Sequence, residues 1–217
     1  MALIPANPVR DIRRRLASIV QIEREILGDI ASGLRTRNPE LVTKALVRIR
    51  STQPALNDIR DTLYNGAEVV RVSPLLWYAR KDLKKWEKLL DPLDNAIRNT
   101  RVLARRAVVI LDDDVPLDVR IPDSISLMSE ATGVVHSMLS ESDNRHATEQ
   151  EAARAIISVA VRTTFQLDPN DRSGMHGPVI HAQIRSTLID VLQVCGMSRE
   201  EAVNSVPAIG SPGCHPA

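Results

Sequence analysis

Few side chains in this sequence stand at spacings that do chemistry. His176 and His181 are five apart across a helix start, and Cys214-His215 follows in the tail. A shared metal site would need those two regions to converge. No HExxH and no CxxC occurs, so zinc has no framework. Asp112-Asp113-Asp114 offers the oxygen ligands a divalent cation takes. Three adjacent side chains cannot all face one ion from regular structure, so the triplet reads as a solvated turn at a helix end. Ser186 and His181 could supply a nucleophile and a base, yet no elbow motif surrounds either. Neither GxxxxGK nor GxGxxG is present. The expectation is no catalytic set, no metal and no cofactor, and hence a protein that is not an enzyme.

The remaining chemistry is charge. Met1-Ala2-Leu3-Ile4 meets Pro5, Asn7 and Pro8, and then Arg10, Arg13, Arg14 and Arg15. An apolar end, a breaker and an arginine cluster mark the place where a membrane helix leaves the bilayer on its cytoplasmic side. Such a cluster gains roughly 1 kcal/mol per charge against anionic headgroups. The plainer reading is the basic first turn of a soluble helix. A second basic stretch runs from Arg71 to Arg106, with ten Lys or Arg against four Asp or Glu. It reads as a patch for an anionic surface or ligand, or as a solvated helix face with i,i+4 pairs such as Asp94 with Arg98.

The whole chain dilutes these clusters. Its 217 residues carry 28 Lys or Arg and 27 Asp or Glu, a net charge of +1, and only 2% aromatic residues. Nucleic acid is thereby disfavoured as a partner, because neither a bulk cationic excess nor a stacking platform is present. Hydrophobic residues make up 43%, enough for an aliphatic core without disulfide or metal support. Two cysteines late in the chain fit a reducing compartment. No apolar run reaches the ~20 residues of a spanning helix, and no secretory signal opens the chain.

Apolar periodicity predicts an all-α fold, an elongated antiparallel bundle of long, kinked amphipathic helices. A first helix over Pro8 to Arg35 carries Ile12, Leu16, Ile19, Ile26, Ile30 and Leu34 on one stripe. Asn38 caps the next, with Pro39 at its first position. That second helix extends to about Val72, kinked at Pro54. A third segment, about Pro74 to Leu111, shows Leu83, Trp86, Leu90, Leu93, Ile97, Ala104 and Leu111, and Pro92 makes it one kinked helix or two. Shorter helices follow at about 123–139, at 148–165 behind a Thr148/Glu151 capping box, at 178–195, and after Ser198 with a Ser198/Glu201 box. The organisation expected is a long-helix bundle over 1–111, added shorter helices over 112–209 on the same bundle, and a disordered tail at 210–217.

The segments 93–106 (LDNAIRNTRVLARR) and 67–74 (AEVVRVSP) resemble the cytoplasmic region of bacterial aromatic-acid-exporter, or fusaric-acid-resistance (FUSC-type), membrane proteins. The opening IPANPVR, 4–10, resembles that family's exit from its last N-terminal membrane helix. The resemblance covers roughly residues 4–110. It implies a helical domain on the cytoplasmic side of the bacterial inner membrane, linked to efflux of small, often aromatic, organic acids. Its partner would be the membrane domain of the same protein, with anionic lipid headgroups and further copies of the chain as possible contacts. The chain lacks that family's membrane helices, so it is expected to be an excised domain or a detached subunit.

Against that background Arg10, Arg13, Arg14 and Arg15 read as a membrane-proximal anchor. Glu68, Arg71, Arg98, Asn99 and Arg101 read as a polar cluster on two facing segments: Glu68 pairs with Arg98 or Arg101 across the seam, and Asn99 is a buried polar residue that sets register. Two rival expectations are a free-standing adaptor with an exposed apolar stripe, and a sensor holding an organic acid on Arg98 or Arg101 in an apolar pocket.

Overall fold

The computed structural model describes the backbone over 8–72, 77–140, 145–163 and 174–207, and side chains over 11–65, 83–140, 149–163 and 174–207. The described residues form eight helices and no strand: α1 Pro8–Arg35, α2 Pro39–Arg50, α3 Gln53–Val72, α4 Trp77–Asp112, α5 Arg120–Ser140, α6 Arg145–Thr163, α7 His176–Val194 and α8 Arg199–Ser205. The all-α expectation holds. α4 has 36 residues, a rod ~54 Å long at 1.5 Å per residue. None of the described helices is long and apolar enough to cross a membrane.

The predicted stripes are the ones that pack. Ile12, Leu16, Ile19, Ile26, Ile30 and Leu34 of α1 are all buried, as are Leu83, Trp86, Leu90, Leu93, Ile97 and Ala104 of α4. A single core runs from Ile12 to Val206. α1 lies mainly against α5 and also touches α2, α3 and α4, while α4 lies mainly against α7. The later helices therefore share one core with the early ones.

Polar contacts give the directions. Arg35 meets Asp123 at 2.8 Å and the Ser129 hydroxyl donates to the Arg24 carbonyl at 2.8 Å, so α1 and α5 run antiparallel. Arg48 of α2 reaches back to Asp29 and Glu25 of α1. Thr100 donates to Glu23, and Arg37 pairs with Asp114, an offset of 77 residues at both points, so α1 and α4 run parallel. Arg37 and Asp114 each close their helix in the left-handed region, at φ 50° and 51°. Both ends follow the Schellman pattern: Asn38 N–H bonds the Gly33 carbonyl at 2.8 Å, and Val115 N–H the Ile110 carbonyl at 2.9 Å.

Two boundaries differ from expectation. The second helix does not kink at Pro54 but stops at Arg50. The Ser51 and Thr52 hydroxyls take the carbonyls of Arg48 and Ile49, each at 2.7 Å, which satisfies the helix end. Pro54 then falls in the first turn of α3, where its missing N–H costs nothing. Pro92, by contrast, lies inside an unbroken α4. α6 begins at Arg145, so Thr148 lies inside it and is not its cap. The Asn38 cap and the Ser198/Glu201 box form as expected. The tail 210–217 and residues 1–7 lie outside the described residues.

At the α1–α2 corner, a Cβ on Gly33 would stand 2.4 Å from Val42 Cγ2 and 3.2 Å from the Asn38 carbonyl oxygen, whereas one on Gly28 would meet only Ser129 Oγ at 3.5 Å. Gly33→Ala is therefore expected to destabilise the chain by about 1–3 kcal/mol through overpacking. Gly28→Ala should stabilise it by up to ~1 kcal/mol through helix propensity. Urea unfolding of the two variants checks the contrast.

Candidate functional site

The arginines singled out from sequence are tied down unequally. Arg14 pairs with Asp11 at 2.7 Å, and Arg15 with Asp11 at 2.9 Å and with Asp58 of α3 at 2.5 Å. Arg14 nonetheless leaves 82% of its side chain exposed, and Arg13 is half-buried. The Arg10 side chain lies outside the described residues, as do those of Glu68 and Arg71. Asp11 and Asp58 thus offset part of the basic start.

On α4, Arg98 pairs with Asp94 one turn back at 2.8 Å. Arg101 donates to Gln53 Oε1 at 3.1 Å, while Gln53 Nε2 donates to Asp94 at 3.3 Å. Arg60 reaches the same carboxylate at 3.5 Å. Burial works against the Asp94 charge, but Arg98, Gln53 and Arg60 outweigh it and hold the carboxyl below its ordinary range. Hence the first turn of α3 meets these arginines, and their described partners are Asp94 and Gln53. Asn99 does bridge helices, but it is half-buried, not buried, and it faces α7: its amide donates to Asp190 at 2.7 Å.

That bond leads into a site the sequence reasoning missed. Glu23 on α1 and Asp190 on α7 are carboxyls with 1% and 5% exposure. Neighbouring residues of α4 serve them, Thr100 donating to Glu23 at 3.0 Å and Asn99 to Asp190. Gln193 adds a longer contact to Asp190 at 3.4 Å. Burial pushes the Glu23 carboxyl up to about 7; Thr100 draws it down and the Asp190 charge adds to the rise. Burial also raises Asp190, to about 6, against the pull of Arg199 and the Asn99 bond.

Each acid therefore binds its proton more tightly folded than unfolded. Their stabilising effect is complete below the ordinary carboxylate range and is lost as pH rises through about 6 and then about 7. The signal was present as gaps. Glu23 occupies the vacant step between Ile19 and Ile26, and Thr100 the vacant step between Ile97 and Ala104. Asp190 gave no such gap, because α7 is buried on nearly every side.

The other candidates separate. His181 Nε2 meets the Thr163 carbonyl at 2.9 Å, facing α6. Ser186, five residues on, projects from another side of the helix. Burial and the Glu149 charge push the Cys195 thiol up to about 12, so it is no nucleophile at neutral pH. No group of three metal-ligating side chains forms among the described residues. Asp113 and Asp114 lie in an exposed turn after α4.

Over its whole length the chain is 34% identical to an uncharacterized protein of Corynebacterium glutamicum, of which it spans 56%. No family model and no solved structure matches it.

Thr100→Val should strip Glu23 of its hydroxyl donor. The expected cost is about 1–3 kcal/mol. It should be larger at pH 8 than at pH 5.5, because the donor favours the charged form. Among the described residues Arg101→Ala removes the Gln53 contact and should cost about 0.5–1.5 kcal/mol. Denaturant titrations at both pH values measure the two variants.

Proposed function

We propose that this chain is the cytoplasmic helical module of an exporter-like membrane protein of the fusaric-acid-resistance type, with a structural, oligomerising or regulatory part in efflux. The observation that supports the word module is the match to a relative nearly twice as long. The equivalent of the whole chain is there one portion of a larger protein. The resemblance of residues 4–110 to the exporter family suggests the kind of protein, and the exposure of Arg14 is in keeping with a lipid-facing start.

The rivals draw less support. An adaptor calls for an exposed apolar stripe, yet among the described residues the exposed large apolar side chains Val47, Tyr64, Val109, Val119, Val161, Met175 and Val203 fall one to an element or loop. An organic-acid sensor calls for arginines in an apolar pocket. Arg98 has 62% of its side chain exposed and is held by Asp94.

Two measurements test the module. Expressed from its complete gene, the protein should sediment with the inner membrane, and deleting residues 8–207 should sensitise cells to aromatic acids. A full-length product found only in the soluble fraction rejects the exporter reading. The isolated chain should bind anionic liposomes weakly and salt-sensitively. Substituting Arg13, Arg14 and Arg15 together by Gln should abolish that binding, and undiminished binding rejects the anchor.

A further inference from the structure

Glu23 and Asp190 play no part in the proposed function. We propose that the two carboxyls form a proton-operated latch: protonated, they hold the α7–α8 unit against α1 and α4, and their ionisation releases it.

The geometry argues this in three steps. First, the donors available suit one charge poorly and two charges not at all. Thr100 gives Glu23 one neutral hydroxyl, and Asn99 and Gln193 give Asp190 neutral amides at 2.7 and 3.4 Å. Two ionised carboxylates at this depth would repel each other, with no cation in contact among the described residues. Second, the surrounding charges are few. The Asp190 charge acts on Glu23 from across the α1–α4–α7 seam, and Arg199 at the start of α8 attracts Asp190 from a distance. From α4 come only neutral groups, and among the described residues no charge on α5 or α6 contributes to either acid. Ionisation therefore pushes Asp190, and α7 with it, away from Glu23.

Third, α7 and α8 are built to move together. Arg185 of α7 donates to the carbonyls of Pro207 at 3.0 Å and Val206 at 3.2 Å, closing the far end of α8. The joint between the helices turns on Gly196 at φ 91°, and Ser198 with Glu201 caps α8 independently. The acids lose their protons near pH 6–7, so the latch works around neutrality.

The test is hydrogen exchange of the 217-residue chain at pH 5.5 and 8.5, corrected for the intrinsic rate at each pH. The latch predicts that protection across residues 180–205 falls at least tenfold at the higher pH, while the middle of α5 changes less. Glu23→Gln/Asp190→Asn, which keeps both sites neutral, should hold protection at both pH values. Should the double variant fail to fold, Glu23→Gln alone serves, with a pH response smaller than in the wild type. Equal protection of the wild type at both pH values overturns the latch, as does a pH response of undiminished size in a folded variant. An equal loss of protection in every helix also overturns it, since the acids would then set global stability and no latch would exist.

Discussion

The constraint that organises this protein is a carboxyl on the apolar face of its first helix. α1 presents Ile12, Leu16, Ile19, Ile26, Ile30 and Leu34 to the core, and Glu23 stands in the same row. A helix face that buries its neighbours on both sides cannot turn one residue outward. The carboxyl must enter the core, and it must find a donor there or leave a buried polar group unsatisfied. Thr100 is that donor and is itself fully buried. One hydrogen bond thus fixes which part of α4 lies beside which part of α1. α7 then follows α4, because the neighbouring Asn99 binds Asp190.

The surface charges follow a looser logic. Arg48 pairs with both Glu25 and Asp29, Arg35 with Asp123, and Arg15 with Asp58, each joining two helices at the solvent boundary. Such exposed pairs contribute at most ~1 kcal/mol each and weaken with salt. Their part is to choose among packings that the aliphatic stripes already allow. Lys85 with Glu149 is better shielded and ties α4 to the start of α6. The basic stretch of α4 is accordingly part surface and part seam. Arg98 faces water, while Arg101 leans on the neutral amide of Gln53.

Periodicity made the fold legible because aliphatic stripes and helix burial are one physical fact seen twice. Boundaries were less legible. Pro54 and Pro92 are alike as residues and opposite in outcome. Before Pro54 the chain offers Ser51 and Thr52, whose hydroxyls satisfy the last carbonyls of α2. Around Pro92 lie Trp86, Leu89, Leu90 and Leu93, buried on both sides of the break, and their packing holds α4 together through one missing hydrogen bond. Thr148 misled for a related reason: a capping box describes a helix start only where no earlier turn is stable, and α6 starts at Arg145. The buried acids were harder still. Glu23 and Thr100 interrupt their stripes at steps that a helix must bury, so the gaps could have been read as a matched pair. Asn99 did read as a polar bridge, but which helix it would face depends on tertiary contacts that periodicity does not carry.

Stability gives no reason to keep a carboxyl at position 23. A well-packed hydrophobic residue of similar volume there would be neutral or better. Register gives one. Aliphatic rows that repeat every seven residues look alike after a slip of seven, and the offset between α1 and α4, 77 residues, is itself a whole number of heptads. A slip by one heptad would set Glu23 beside Leu93 or Ala107, both buried and without a donor. That leaves an unsatisfied acid in the core, at a cost of about 1–3 kcal/mol. The slip would also part Arg37 from Asp114 at the helix ends. The acid and the threonine therefore mark the one layer at which two otherwise interchangeable rods can align, and the price in packing energy secures a single arrangement.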